Sequence, residues 1–207
     1  MNRNIFVTGI GTGIGKTITS SIFAKALNFA YWKPIQCGDL HFSDGDNVKR
    51  LSPETDVLPS RFCFKASESP HAAAKLEAVD ISLNDFSLPT RTTVIEGAGG
   101  IFVPLNQKDF IIDLVPILQA SIVIVAQYYL GSINHTLLTL NELSRRNLPV
   151  LGIVFNGDKK QETQDIILAH HALPVLLELP HLSEVSANTI ANYADLLRRN
   201  LHVHLSA

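Results

Sequence analysis

Two cysteines, one methionine and one tryptophan in 207 residues leave little room for several kinds of protein. Cys37 and Cys63 are too few for a disulfide framework and lack metal-ligand spacing, so they read as free thiols in a reducing compartment. Charge is also sparse: charged residues make up 17% of the chain and sum to a formal -2, which excludes bulk electrostatic capture of nucleic acid but not a local phosphate site. Long apolar runs are missing. The longest, Ala120 to Ala126, has the length of a strand and falls far short of the ~18 residues of a membrane span, so no membrane partner is expected. The opening MNRNIFVTGIG carries no apolar signal core ahead of its first glycine, and the expected location is the cytoplasm. Repeats, low-complexity tracts and Pro/Ser-rich linkers are absent as well, so residues 1–207 are read as one domain.

Against these absences stands an apolar content of 46%, arranged as short runs that alternate with helical stretches. Strands are expected at Ile5 to Thr8, Ala30 to Ile35, Thr93 to Glu96, Ser121 to Ala126, Val150 to Asn156 and Val175 to Leu177. Helices are expected at Thr17 to Phe29, Phe110 to Gln119, Ile133 to Arg146, 161–171 and 186–199, with a short helix possible after Ser43 in an otherwise loop-rich stretch from 37 to 62. Strand runs with little polar alternation are buried on both faces, the signature of a parallel sheet covered by helices. The expected fold is therefore α/β, a doubly wound, mostly parallel sheet, with the chemistry at the carboxyl ends of its strands.

The strongest motif follows the first strand: Gly9-Ile-Gly-Thr-Gly-Ile-Gly-Lys-Thr17. A strand, a glycine-rich loop, Gly-Lys-Thr and a helix form the context of a P-loop, in which backbone N–H groups and a helix N-terminus converge on phosphate oxygens. Lys16 would meet the β- and γ-phosphates, and the Thr17 hydroxyl is of the type that ligates magnesium. Gly13 and Gly15 allow positive φ and close backbone approach. The strict G-x-x-x-x-G-K-T pattern is missed by one residue, since position 10 is Ile. The dinucleotide pattern G-x-G-x-x-G fails at Ile14.

Magnesium also needs carboxylates. Glu96 closes a strand and precedes Gly97-Ala98-Gly99-Gly100, whose glycines would let a nucleotide pass close by. Asp46, in Ser43-Asp-Gly-Asp-Asn47, is on spacing alone equally a metal ligand or a turn former. Lys33, in Tyr31-Trp-Lys-Pro34, either steadies a transferring phosphoryl group or reaches solvent from a sheet edge. Trp32 reads as core.

These segments, taken with Ser69-Pro70-His71, Gly131-Ser-Ile-Asn-His135, Asn156 at a late strand end and Pro180-His-Leu182, resemble the dethiobiotin synthetases in order and spacing along almost the whole chain. The extra residue in the P-loop is part of that resemblance. It implies an ATP- and magnesium-dependent ligase of biotin biosynthesis that carboxylates 7,8-diaminononanoate with CO2 and closes a cyclic urea. The implied catalytic residues are Lys16, Lys33 and Thr12, and the implied magnesium ligands are Thr17, Asp46 and Glu96. The implied ATP-binding set is Gly13, Ile14, Gly15, Lys16, Thr17, Asp46, Glu96, Gly97, Ala98, Gly99, Asn156, Gly157, Pro180, His181, Leu182 and Glu184. Cys37, Ser69, Leu130, Gly131 and Asn134 would contact the diamine substrate. The family is a homodimer in which the helix start at Leu130 to Asn134 serves the neighbouring subunit. Cys37 departs from the usual Ser or Thr, and a thiol is a weaker hydrogen-bond donor. Gly13 stands where some members carry Glu.

Two other classes share parts of this pattern. Switch ATPases of the partitioning and cell-division type carry a second lysine in the loop, where this chain has Gly11, and often end in a membrane-seeking amphipathic helix, of which Leu196 to Leu205 is only mildly suggestive. Corrin-pathway amide synthetases usually carry a fused glutaminase domain, for which 207 residues leave no room. His170-His171, His202-x-His204 and Arg198-Arg199 carry no functional assignment.

Overall fold

The structure is a computed structural model that describes residues 4–182 and 184–205, with side chains as far as Leu201. Its centre is a seven-stranded sheet of β1 (Asn4–Gly9), β2 (Ala30–Trp32), β4 (Val57–Leu58), β6 (Thr93–Glu96), β7 (Ala120–Gln127), β8 (Val150–Asn156) and β9 (Val175–Leu179). The spatial order is β4-β2-β6-β1-β7-β8-β9, and every pairing is parallel. A second, two-stranded sheet pairs β3 (Ile35–Cys37) with β5 (Phe62–Phe64).

Alternation along the strands sends side chains to two cores. Val7, Tyr31, Val94, Val123 and Val154 face α1 (Lys16–Leu27), α2 (Asp44–Leu51) and α7 (Ala187–Leu205), and pack with Phe23, Val48, Leu51, Ile190 and Leu197. Phe6, Trp32, Ile95, Ile124 and Phe155 face the other way. They pack with Ala73 of α3 (Pro70–Leu76), Leu114 of α4 (Leu114–Ile117), Leu140 and Leu143 of α5 (Ser132–Arg145), and Ile167 of α6 (Gln161–His170). Helices thus cover both faces, which is why the strands read as almost continuously apolar.

Two expected elements are corrected. The strand expected from Ala30 to Ile35 is broken after Trp32. Pro34 has no N–H to give a ladder and restricts Lys33 before it, so the chain leaves the large sheet and resumes as β3 beside β5. The Pro34 carbonyl accepts from the Arg61 and Phe62 N–H groups at 2.8 and 3.1 Å. The helix expected from Phe110 to Gln119 is instead a 3-10 turn at Ile111–Asp113 followed by the four-residue α4, which contains Pro116. Within the stretch 37–62 the short helix expected after Ser43 forms as α2, and β4, which was not expected, lies there as well.

The strand order reverses around β1: the chain adds β2, β4 and β6 on one side and β7, β8 and β9 on the other. The crevice at such a switch point, beyond the carboxyl ends of the strands, is where open α/β sheets hold ligands. The glycine-rich loop leaves β1 at that point.

Candidate active site

The loop from Ile10 to Gly15 is shaped by backbone that only glycine takes easily: φ is 73° at Gly13 and 94° at Gly15, the N-cap of α1. The turn at 97–100 presses against it. A β-carbon on Gly100 would lie 3.2 Å from the Gly9 carbonyl oxygen. Lys16 is buried to 7% exposure, and its ammonium donates to the Gly11 carbonyl at 2.7 Å. Burial lowers its pKa, Glu96 and Asp44 oppose that shift, and Lys33 adds to it.

At the start of α1 the Thr17 hydroxyl meets two carboxylates, Asp44 Oδ1 at 2.7 Å and Glu96 Oε1 at 3.0 Å. Three hard oxygens, Thr17 Oγ1, Asp44 Oδ1 and Glu96 Oε1, thus converge at one point. Lys33 leaves the broken strand end and pairs with Asp44 Oδ2, and with Glu96 Oε1 at 3.4 Å. Burial works against the Lys33 charge, but Glu96 and Asp44 outweigh it and raise the pKa above the ordinary lysine value. Burial likewise opposes charge on Asp44, yet Lys33 and the Thr17 hydrogen bond hold its carboxyl below the usual range. Behind the cluster, the wholly buried Tyr31 donates to Glu96 Oε2 at 2.9 Å. Burial first, and Glu96 second, push the Tyr31 phenol well above its ordinary value, so it stays a donor.

This geometry corrects one expected ligand. Asp46 is exposed and caps its own helix. It accepts from the Ser43 N–H at 2.8 Å and the Ser43 hydroxyl at 2.7 Å, while its own N–H donates to Ser43 Oγ at 3.2 Å. It occupies the third position of a capping box, whose carboxylate must fold back on the helix start. Asp44, two residues earlier, projects to the opposite side and joins Thr17, Lys33 and Glu96. The Ser-x-x-Asp spacing was the available signal, because it assigns Asp46 to the cap and frees Asp44. Tyr31 gave no signal, since an aromatic in an apolar strand reads as core.

Beside this cluster opens a cavity of about 370 Å3 whose wall includes Thr12, Lys33, Cys37, Ser69, Ala98 and Gly99, together with Asp39, Glu68 and Val103, which sequence reasoning missed. Burial drives the Cys37 thiol up to about 11, with Lys33 opposing the shift. Ser69 is the N-cap of α3, and its hydroxyl shares a hydrogen bond of 2.9 Å with His71 Nδ1. On the far side of the loop, Asn156 Nδ2 donates to the Ile14 carbonyl at 2.8 Å, and a β-carbon on Gly15 would strike that amide at 2.4 Å. Gly157, with φ of 103°, donates its N–H to Leu179 at 2.7 Å. That bond ties the end of β9 to the residue after Asn156; beyond it Pro180, His181 and Glu184 are exposed and Leu182 is half-buried. Leu130, Gly131 and Asn134 are exposed at the start of α5 and form no part of the cavity wall. The two-carboxylate, one-hydroxyl set suits magnesium, which takes few protein oxygens and leaves room for phosphate and water.

The comparisons agree with this chemistry. A protein-family profile described as an AAA domain matches residues 3–189. An ATP-dependent dethiobiotin synthetase of Cytophaga hutchinsonii is 42% identical over 197 residues, covering 93% of this chain and 95% of that protein. Another, from Paramagnetospirillum magneticum, is 43% identical over 191 residues, covering 91% and 93%. Among solved structures, the MinC:MinD cell division complex of Aquifex aeolicus superposes with a TM-score of 0.59 at 11% identity, covering 97% of this chain and 96% of that one. A putative plasmid partition protein of Borrelia burgdorferi bound to AMPPNP gives 0.58 at 12%, covering 99% and 98%. Likenesses at that identity show a shared fold. Relatives at about 40% identity over nearly the full length show more: the chain belongs to the ATP-dependent dethiobiotin synthetases, the ATP-using ligases of biotin biosynthesis.

Proposed function

We propose that this chain carboxylates 7,8-diaminononanoate with CO2 and closes the ring to dethiobiotin, consuming ATP and releasing ADP and phosphate. The observation that carries the reading is the meeting of Lys16, Lys33, Thr17, Asp44 and Glu96 at the mouth of the P-loop, opening into the cavity lined by Thr12, Cys37 and Ser69. One amine of the substrate forms an N–C bond to CO2 and loses a proton, giving a carbamate. A carbamate oxygen then takes the γ-phosphoryl group from ATP. The second amine attacks the carbonyl carbon, and phosphate leaves with the C–O bond electrons.

Such a sequence needs no covalent nucleophile from the protein; it needs positioning and neutralisation of developing negative charge. Lys16 and Lys33 approach the transferring group from the loop side and the strand side. Thr17, Asp44 and Glu96 would hold magnesium, which supplies charge neutralisation across the phosphates when bound. Thr12 stands where the carbamate and γ-phosphate would meet. Gly13, Ile14 and Gly15 present backbone around the phosphates, and Gly97, Ala98 and Gly99 let them pass closely. Asn156 and Gly157, with Pro180, His181, Leu182 and Glu184, would frame the adenine and ribose. Cys37 and Ser69 would contact the diamine in the cavity.

The exposed start of α5 supports a homodimer reading: Leu130, Gly131 and Asn134 face outward from their own site, and Leu130 and Ile133 are large apolar side chains left in solvent. In this reading they complete the substrate pocket of a second copy, offering a helix N-terminus to the substrate carboxylate. Among the described residues no helix is long and apolar enough to cross a membrane, and the proposed location is the cytoplasm.

The test is to mix the protein with ATP, magnesium, bicarbonate and 7,8-diaminononanoate and to follow phosphate release and product mass together. Diamine-dependent phosphate release with dethiobiotin in step is the expected result. ATP binding without either would overturn the substrate assignment.

A further inference from the structure

The Glu96 carboxylate is divided between two neighbourhoods. Oε1 faces the Thr17 hydroxyl at 3.0 Å and the Lys33 ammonium at 3.4 Å. Oε2 points into the protein and accepts from the Tyr31 hydroxyl at 2.9 Å, the one side-chain donor to that oxygen among the described residues. The strand register produces this contact. Tyr31 lies opposite Val94 on the neighbouring parallel strand, and alternation puts Val94 and Glu96 on the same face. The phenol therefore reaches from a core position beside Val94 to the carboxylate at the strand end. Packing alone would be met by phenylalanine, since the ring sits in the core with Val7, Val48 and Leu51. The added hydroxyl is costly at a wholly buried site unless it makes its hydrogen bond.

We infer that Tyr31 is a positioning residue that makes Glu96 present a single oxygen, Oε1, to the cation beside the P-loop, and so favours magnesium over calcium. This rests on the proposed magnesium site at Thr17, Asp44 and Glu96. Magnesium requires near-octahedral geometry and takes carboxylates one oxygen at a time, whereas calcium accepts six to eight oxygens and readily takes both from one carboxylate. With Oε2 held toward Tyr31 and one of its lone pairs engaged, the two-oxygen mode is disfavoured. Hydrogen bonds behind a ligand commonly shift metal affinity by about 10- to 100-fold.

The experiment compares wild type, Tyr31→Phe and Glu96→Gln by equilibrium binding of the β,γ-imido analogue of ATP, in EDTA, in excess magnesium and in excess calcium. Expected for Tyr31→Phe is unchanged affinity in EDTA, a loss of about tenfold in the gain that magnesium gives, and a narrowed magnesium-to-calcium ratio. Two further replacements at position 31 guard against a folding defect. 4-Methylphenylalanine fills the hydroxyl's space without donating and should behave as Tyr31→Phe, while 4-aminophenylalanine restores a donor and should restore the ratio. An equal loss in all three conditions would make Tyr31 merely structural and overturn the inference. So would an unchanged ratio in Tyr31→Phe while Glu96→Gln removes the magnesium gain. If Glu96→Gln also leaves that gain intact, the metal site itself is wrong, and the inference goes with it.

Discussion

At the scale of single residues, Lys33 shows how charge is held ready where the backbone breaks. It sits between two carboxylates at the end of a strand that Pro34 interrupts. Replacing it with alanine should lower the rate of dethiobiotin formation by roughly 10²- to 10³-fold, the usual cost of one preorganised charge-stabilising group, with a much smaller effect on nucleotide affinity; single-turnover product formation beside analogue binding would separate the two. The same cluster makes stability depend on pH. Asp44, held below its ordinary 3.8, contributes stability above that pH that is lost as pH falls through the depressed value. Lys33, held above 10.5, contributes below that pH and fades as pH rises past it. Urea midpoints across pH should therefore show a plateau whose acid limb is displaced in Asp44→Asn. Cys37 offers a further check. With its thiol pushed up to about 11, it should alkylate slowly at pH 8, while the exposed Cys63 labels first. Peptide mass mapping with iodoacetamide would distinguish the two sites, and Cys37 labelling should rise steeply only as pH approaches about 11.

At the scale of elements, α2 carries two acids with different tasks. Asp46 closes the capping box with Ser43, whereas Asp44 leaves the helix start toward Thr17. Asp46→Ala should lower thermal stability slightly, by removing one half of the capping box, and leave magnesium-dependent nucleotide binding intact. Asp44→Asn should reduce that magnesium dependence. Thermal melts with metal-dependent binding on both variants would show whether the roles divide this way. A sequence reader sees Ser-Asp-Gly-Asp and an acid-rich loop; the helix decides the matter, because residues two apart project to nearly opposite sides. Pro34 acts in the same way on β2 and β3. Its ring was visible in the sequence, but the destination of the chain after the break, a partnership with β5, depended on a segment some thirty residues away.

At the scale of the whole molecule, the α/β fold and its parallel sheet follow from short apolar runs alternating with helices, and all pairings in the large sheet are parallel. The assembly is a separate matter. Leu130 is fully exposed, Leu138 largely so and Phe102 half so, and these side chains lie on or beside α5. If a second copy covers this face, Leu130→Asp should shift light-scattering mass from dimer toward monomer. It should also raise the KM for the diamine more than that for ATP, because only the diamine pocket would borrow from the partner.

The sequence by itself determined the principal strands and helices of the α/β fold, the P-loop and its Gly-Lys-Thr, the strand-end Glu96 and the family pattern. Each is local: periodicity, turn chemistry and motif spacing are written within a few residues of one another. The Ser-x-x-Asp spacing could free Asp44 from the cap, but only the tertiary structure decided that Asp44 meets Thr17, that Lys33 lies between two carboxylates, and that a tyrosine indistinguishable from core holds the far oxygen of Glu96. Those contacts bring together residues 17, 31, 33, 44 and 96, from two neighbouring strands, β2 and β6, and two helix starts. Their meeting is fixed by sheet order and strand register, which no local run of residues encodes.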